Sequence, residues 1–231
     1  MKLPKRDLPS YNAVLPVSGI ECSYRPYTIK EQKILQMAKQ SASSEDITNA
    51  VRQIIENCTN VNLDIIGDAD FEYLIIKLMA VSVSPIAQTE ITYDCKQKDC
   101  PAIHPCAVNL ETVSVIGIDY IKEKYARRKN YWVVPFDEDS GVCMRHVTSS
   151  DDHEQTIYNS IVQVYDADGV YDEFTQDDLI SYIDDLTNPE YEKIQEFINT
   201  QPFCSTSVNA KCKSCKKDFT VELKGVLDFL A

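Results

Sequence analysis

The chain has 231 residues, 44% of them hydrophobic and 26% charged, with a formal net charge of −13. That is enough chain for one large domain or two small ones around a real core. The acidic balance argues against a protein that grips a phosphate backbone, which normally presents a basic face.

No run approaches the ~18–20 apolar residues of a membrane span. The charged start Met1-Lys2-Leu3-Pro4-Lys5-Arg6 has no apolar stretch behind it that would read as a secretory signal. The expectation is folding in a reducing cytoplasm, where nine cysteines make poor disulfide candidates and are either buried thiols or metal ligands.

Residues 1–27 hold Pro4, Pro9, Pro16 and Pro26 and little periodicity. They read as an extended N-terminal arm with short strands, able to pair with the body or with a neighbour. A helical region is expected over 28–87. Its first helix runs from Thr28 to about Ala42 and carries Ile29, Ile34, Leu35, Met37 and Ala38. Ser43-Ser44-Glu45-Asp46 reads as an N-cap. The helix it opens places Ile47, Ala50, Val51, Ile54, Ile55 and Cys58 on one face at the 3.6 period. A third helix starts near Asp68 or Asp70; Phe71 to Val83 is apolar nearly all round, the mark of a central, buried helix.

Over 88–116 the pattern changes to a hairpin. Glu90-Ile91-Thr92-Tyr93-Asp94 is strand-like and runs into Cys95, and Val108, Leu110, Val113 and Val115 suggest a further strand. Residues 117–202 mix hairpin and helix. Tyr131 to Phe136 and Val142 to Val147 flank the acidic turn Asp137-Glu138-Asp139-Ser140-Gly141. From Asp151 a helical reading takes in Ile157, Ile161, Val162 and Val164, and Asp166-Ala167-Asp168-Gly169 is a turn. Thr175 with Asp178 caps a helix bearing Leu179, Ile180, Ile183 and Leu186, and Asn188-Pro189 opens the last one. Residues 203–231 form strand, cysteine turn, strand and a short apolar tail. The fold class expected is α+β: a mostly helical body with short β-hairpins and a zinc-ribbon-like element built from two separated cysteine knuckles.

Two matched segments carry the chemical signal. Ile91-Thr92-Tyr93-Asp94-Cys95, Cys100 and Val108-Asn109-Leu110 parallel Val208-Asn209-Ala210-Lys211-Cys212, Cys215 and Val221-Glu222-Leu223. Each reads as a hairpin whose tip presents two thiolates, half of a tetrahedral zinc site. Four thiolates repel one another, and a shared Zn²⁺ offsets that repulsion while tying the middle of the chain to its end. Cys212 and Cys215 have the standard C-x2-C spacing. Cys95 and Cys100 are C-x4-C, and the nearby His104 and Cys106 compete as ligands. Three cysteines in a short loop with a distant C-x-x-C also leave an iron–sulfur cluster open. Cys22, Cys143 and Cys204 have no spaced partner and read as small buried residues.

Catalytic chemistry is thin. The three histidines, His104, His146 and His153, belong to no H-E-x-x-H, and no G-x-S-x-G or phosphate-cradling glycine loop is present. Cys143 and His146, at strand spacing, point to opposite faces. Asp166-x-Asp168-Gly169 lacks the third acid and the final glutamate of a calcium loop, so it reads as an Asp-Gly turn. The basic run Lys122, Lys124, Arg127, Arg128 and Lys129 reads as a solvated helix end, and Asp177, Asp178, Asp184 and Asp185 as a solvated helix face or a docking surface for a basic partner.

The order of features has a parallel. Leu3-Pro4 with Leu15-Pro16, the block from Tyr24-Arg25-Pro26-Tyr27 to Met37-Ala38, Phe71-Glu72-Tyr73-Leu74, and Val170-Tyr171-Asp172 resemble the baseplate hub assembly family of T4-like phages. So does the ending Cys212-x-x-Cys215 with Leu223-Lys224-Gly225-Val226-Leu227-Asp228-Phe229. The resemblance implies a non-enzymatic structural or assembly component of the hub of a contractile, myovirus tail. Its partners would be other hub and tail proteins. It would act in the virion baseplate and, during assembly, in the host cytoplasm, with no catalytic residues and with knuckles at Cys95 with Cys100 and Cys212 with Cys215. The wider first spacing and the extra Cys106 depart from the family pattern and leave the fourth ligand open. The competing reading is a zinc-ribbon adaptor for nucleic acid or the transcription machinery, which the net charge disfavours.

Overall fold

The structure, a computed structural model, describes residues 7–41, 43–84, 86–95, 100, 103–147 and 152–230. The Leu3-Pro4 pair, the interior of the Cys95–Cys100 loop and the helix start at Asp151 lie outside the described residues.

The chain opens with an antiparallel hairpin, β1 (Tyr11–Val14) and β2 (Glu21–Tyr24). Helices α1 (Ile29–Ser41), α2 (Ser44–Cys58) and α3 (Asp68–Ser82) follow. Ser43 caps α2, its side chain accepting from the amide of Asp46. Val51, Ile54 and Ile55 are fully enclosed along the α2 stripe, each such side chain contributing about 1.5–3 kcal/mol of burial. Helix α3 is apolar on most sides and buries Phe71, Leu74, Ile75, Ile76, Leu78 and Met79, as its sequence requires.

The hairpin β3 (Gln88–Asp94) with β4 (Ile103–Asn109) leads to the short β5 (Ser114–Ile116). Far along the chain, β11 (Phe203–Lys211) pairs with both β5 and β12 (Asp218–Lys224), and α8 (Gly225–Leu230) ends against α3.

Between β5 and β11 the chain builds a second body. Helix α4 (Ile118–Lys124) precedes β6 (Ala126–Arg128), β7 (Tyr131–Pro135) and β8 (Gly141–Met144). Then come α5 (His153–Ser160), β9 (Ile161–Tyr165), β10 (Val170–Tyr171), α6 (Gln176–Asp184) and α7 (Asn188–Asn199). The five strands form one antiparallel sheet in the order β10-β9-β8-β7-β6. Its entry and exit meet: Ile116 pairs with Phe203, and a Cβ placed on Gly117 would stand 3.5 Å from the Cα of Pro202.

A mostly helical body is therefore incorrect. The described chain is mixed, 42% helical and 29% strand, with four sheets. The error has a local cause. Ile157, Ile161 and Val164 are spaced as a helix face, but the helix stops at Ser160 and the β-branched run Ile161–Tyr165 pairs with β8. The β-branched Val164 is held by sheet pairing that no local pattern reveals. The three-residue strand β6 is too short to show a period, and the strand suggested by Val108, Leu110, Val113 and Val115 is split by a helical turn at Leu110–Thr112 into β4 and β5. The last helix also starts one position differently: Thr187 is its N-cap, in a capping box with Glu190, and Asn188 is already helical.

Two hydrophobic cores result. The first gathers α2, α3, β3, β4, β11, β12 and α8. The second gathers Trp132, Val134, Val142 and Met144 of the large sheet with Ile157, Leu179, Ile194 and Phe197 of the helices. Charge divides with them. Residues 117–202 hold 19 acidic and 7 basic residues, a net −12, while the rest of the chain holds 17 and 16, a net −1.

Asp70, fully enclosed near the start of α3, joins the two. Its carboxylate accepts from the amides of Val17 (2.9 Å) and Ser18 (2.7 Å) in the β1–β2 turn. Arg127 of β6 donates to the carbonyl of Ser18 from the other side. Burial pushes the Asp70 carboxyl above its usual range, against the pull of the two amides. No helix among the described residues is long and apolar enough to cross a membrane.

Candidate metal centre

The two small hairpins present their tips to each other. In β3–β4, Ile91 faces Cys106, Tyr93 faces His104 and Asp94 faces Ile103, so Cys95 leaves the strand at the open end of the ladder. In β11–β12, Lys211 faces Asp218, and a tight turn spans 212–217. Cys212 donates its amide to Lys217 O at 3.0 Å, and Lys216 donates to Cys212 O at 3.0 Å. Lys216 adopts φ +62°, the left-handed conformation usually left to glycine. That turn wraps the chain around one sulfur, and the Cys215 amide donates to Cys212 Sγ at 3.3 Å. Tyr93 stacks on Phe219 at 5.8 Å between ring centres, so an aromatic contact joins the hairpins beneath the tips.

Four sulfurs meet there. The Sγ atoms of Cys95, Cys100, Cys212 and Cys215 all lie within 4.8 Å of one another. Cys95 and Cys215 are 3.8 Å apart, and Cys100 and Cys212 are 3.7 Å apart. A tetrahedron of sulfurs ~2.3 Å from one ion has edges of about 3.8 Å. The residues present thus fit a single tetrahedral ion. A polynuclear iron–sulfur cluster would hang its thiolates on different metal atoms and spread them wider.

Electrostatics set Cys212 apart from the cysteines of the cores. The Cys212 thiol is pulled from its ordinary value of 9.0 down to about 5, first by the Cys215 amide and against its burial, then by His104. Its side chain is fully enclosed. Burial raises the thiols of Cys22, Cys106, Cys143 and Cys204, and that of Cys58 to about 11. Those five are core residues.

The two competing ligands take different places. Cys106 points into the first core, packed with Ile91 and Val108. His104 stands at the site as a neighbour of a sulfur: its Nε2 is 3.1 Å from Cys212 Sγ, within hydrogen-bond reach. Lys211, Lys213, Lys216 and Lys217 are exposed around the second tip. They surround a site whose four thiolates would leave a divalent ion with a net charge of about −2. Cys143 and His146 form no dyad. Cys143 is buried on β8, and His146 lies beyond that strand, stacked on Phe197 with ring centres 4.4 Å apart.

Sequence reasoning named Asp70 and His146 but not their burial, which depends on partners far along the chain. It also missed the left-handed Lys216, because nothing about a lysine announces that conformation.

The fold and the site define a small mixed protein of helices and sheets, in which two cysteine hairpins meet across an inserted body. Its family is shown by comparison: the model described as T4 bacteriophage base plate protein matches residues 8–231, and the chain belongs to that family. No curated protein and no solved structure matches it.

Proposed function

We propose that this protein is a non-enzymatic structural or assembly component of the central hub of a contractile, myovirus-type baseplate, assembled in the host cytoplasm with other hub and tail proteins. Zinc bound by Cys95, Cys100, Cys212 and Cys215 holds its fold. The observation that carries the reading is the four-sulfur cluster in a member of the baseplate family. Four protein ligands complete a tetrahedron and leave no position for water or substrate, the arrangement of structural rather than catalytic zinc. When bound, the ion supplies a cross-link. His104 and the Cys215 amide stabilise the thiolate of Cys212, and the Tyr93–Phe219 stack holds the hairpins in register.

The test is quantitative mass spectrometry of purified particles beside tail-assembly intermediates, with elemental analysis of the isolated chain. Fixed copies in particles or intermediates and about one zinc per chain are expected. A chain that never co-purifies with tail proteins removes the hub reading, and iron with sulfide in place of zinc removes the metal assignment. A mobility shift on DNA or RNA at physiological salt would favour the nucleic-acid adaptor instead.

A further inference from the structure

The acidic body carries an open slot at the edge of its sheet. A pocket of about 220 Å³ is lined by Val164, Tyr171, Phe174, Leu179 and Tyr182 and by the acidic Asp166 and Asp178. Hairpin β9–β10 supplies Val164 and Tyr171, which pair across the ladder. Phe174 comes from the loop after β10, and Leu179 and Tyr182 from α6.

Each wall is held in place. The Asp166 carboxylate accepts the amides of Asp168 (2.9 Å) and Gly169 (3.0 Å) and the Tyr171 hydroxyl (3.3 Å). Asp178 is fixed by the capping box at the start of α6, accepting from the amide of Thr175 at 2.9 Å. Strand β10 is the outermost strand of the sheet, and its Val170 and Tyr171 are 60% and 47% exposed. The slot therefore opens beside a strand edge that an extended chain can follow.

We propose that this slot receives an arginine side chain from an extended basic segment of another tail protein. A flat guanidinium stacks on aromatic faces and pairs with a carboxylate, and this slot offers three aromatic rings beside Asp166 and Asp178. The surrounding charge commits the occupant further: residues 117–202 carry a net −12, which draws a basic segment in and repels an acidic one. The slot belongs to the second core and uses none of the cysteines, so the proposal goes beyond the metal reading and its test does not depend on metal content.

The experiment is an amide-resolved NMR titration of the full chain with the capped peptide Ala-Arg-Ala-Arg-Ala and with its citrulline counterpart. Saturable shifts centred on Tyr171, Phe174, Leu179 and Tyr182 are expected for the arginine peptide. Phe174→Ala and Asp166→Asn should each weaken binding about threefold to tenfold, the factor expected for one cation–π or partly exposed ion-pair contact. Asp166→Asn keeps an acceptor for the turn amides, and an unchanged thermal midpoint verifies that the fold survives. Shifts spread evenly over the acidic surface, or equal binding by both peptides, overturn the proposal. So does sedimentation showing self-association that Phe174→Ala abolishes, since the slot would then hold a second copy of this chain.

Discussion

The two cores of this protein solve the same problem with different means. The thiol core, built from 7–116 and 203–230, is assembled from distant pieces: two small hairpins, a three-stranded sheet and helices drawn from both ends of the chain. The acidic core, 117–202, is contiguous, with a five-stranded antiparallel sheet faced by helices. Local hairpins close short loops, while the thiol core must hold together segments more than a hundred residues apart, where loop closure costs most. The cysteine cluster lies in the core that needs a cross-link. The contiguous core needs none, and its surface is free to carry charge.

The largest effect comes from removing a thiolate. Cys212→Ser or Cys95→Ser should abolish zinc binding and forfeit a large part of the ~10–16 kcal/mol that structural zinc contributes to zinc-finger peptides. Elemental analysis and calorimetry check this. The thiol core is expected to melt early while the acidic core keeps its transition; a single shared transition would make the two cores one cooperative unit. Cys22→Ser, a core thiol, should leave metal content unchanged.

Asp70→Ala attacks the junction. It leaves the buried amide of Val17 and the half-buried amide of Ser18 without their acceptor, at roughly 1–3 kcal/mol for the first and less for the second. Denaturant unfolding should show both cores weakened, since Val17 packs in one and Leu15 in the other.

Acid reads the cores in separate windows. Burial lowers the His146 imidazole from 6.5 to about 4. The unfolded chain takes up a proton near pH 6.5 that the folded chain refuses until about pH 4. Stability of the acidic core therefore falls by about 3 kcal/mol as pH drops between those values, and levels below them. His146→Leu should remove that slope from a pH series of melting curves. Glu31 belongs to the thiol core. Burial pushes its carboxyl up, but Thr28 and Arg25 hold it down at about 2. Its contribution is present above the ordinary carboxylate value of 4.5 and fades only as pH falls below it toward 2.

The smallest effects are matched. Ser43→Ala in the thiol core and Thr175→Ala in the acidic core each remove an N-cap, and each should cost about 1 kcal/mol in its own transition. Unequal losses would show that one core tolerates helix fraying better.

What could be read from the sequence was what local chemistry decides. The Ser43 and Thr175 caps, the stripe of α2, the all-apolar α3 and the hairpin over the acidic turn all depend on residues within one or two turns of each other. The two cysteine pairs whose sulfurs meet were legible as pairs because a hairpin tip with two cysteines is itself local. What failed was decided by distant partners. β9 is a strand because β8 lies beside it. Cys106 sat within reach of the site in sequence and shares a face of β4 with His104, but it lies further from the tip, opposite Ile91 in the core. His104, two residues away, lies opposite Tyr93 and reaches Cys212.

One consequence of the topology concerns time. The acidic body is nested inside the thiol core, and its entry and exit are paired side by side at Ile116 and Phe203. A ribosome delivers the nested body whole before β11 and β12 emerge. Once folded, that body shortens the path between the two halves of the outer core to a single strand pairing, so the longest loop in the chain closes after most of its entropy has already been lost. The outer core cannot be finished until the last thirty or so residues are made. A prematurely terminated chain would expose the unmatched faces of α3 and β5, which gives a cell's proteolytic quality control a ready means of telling a complete subunit from a broken one.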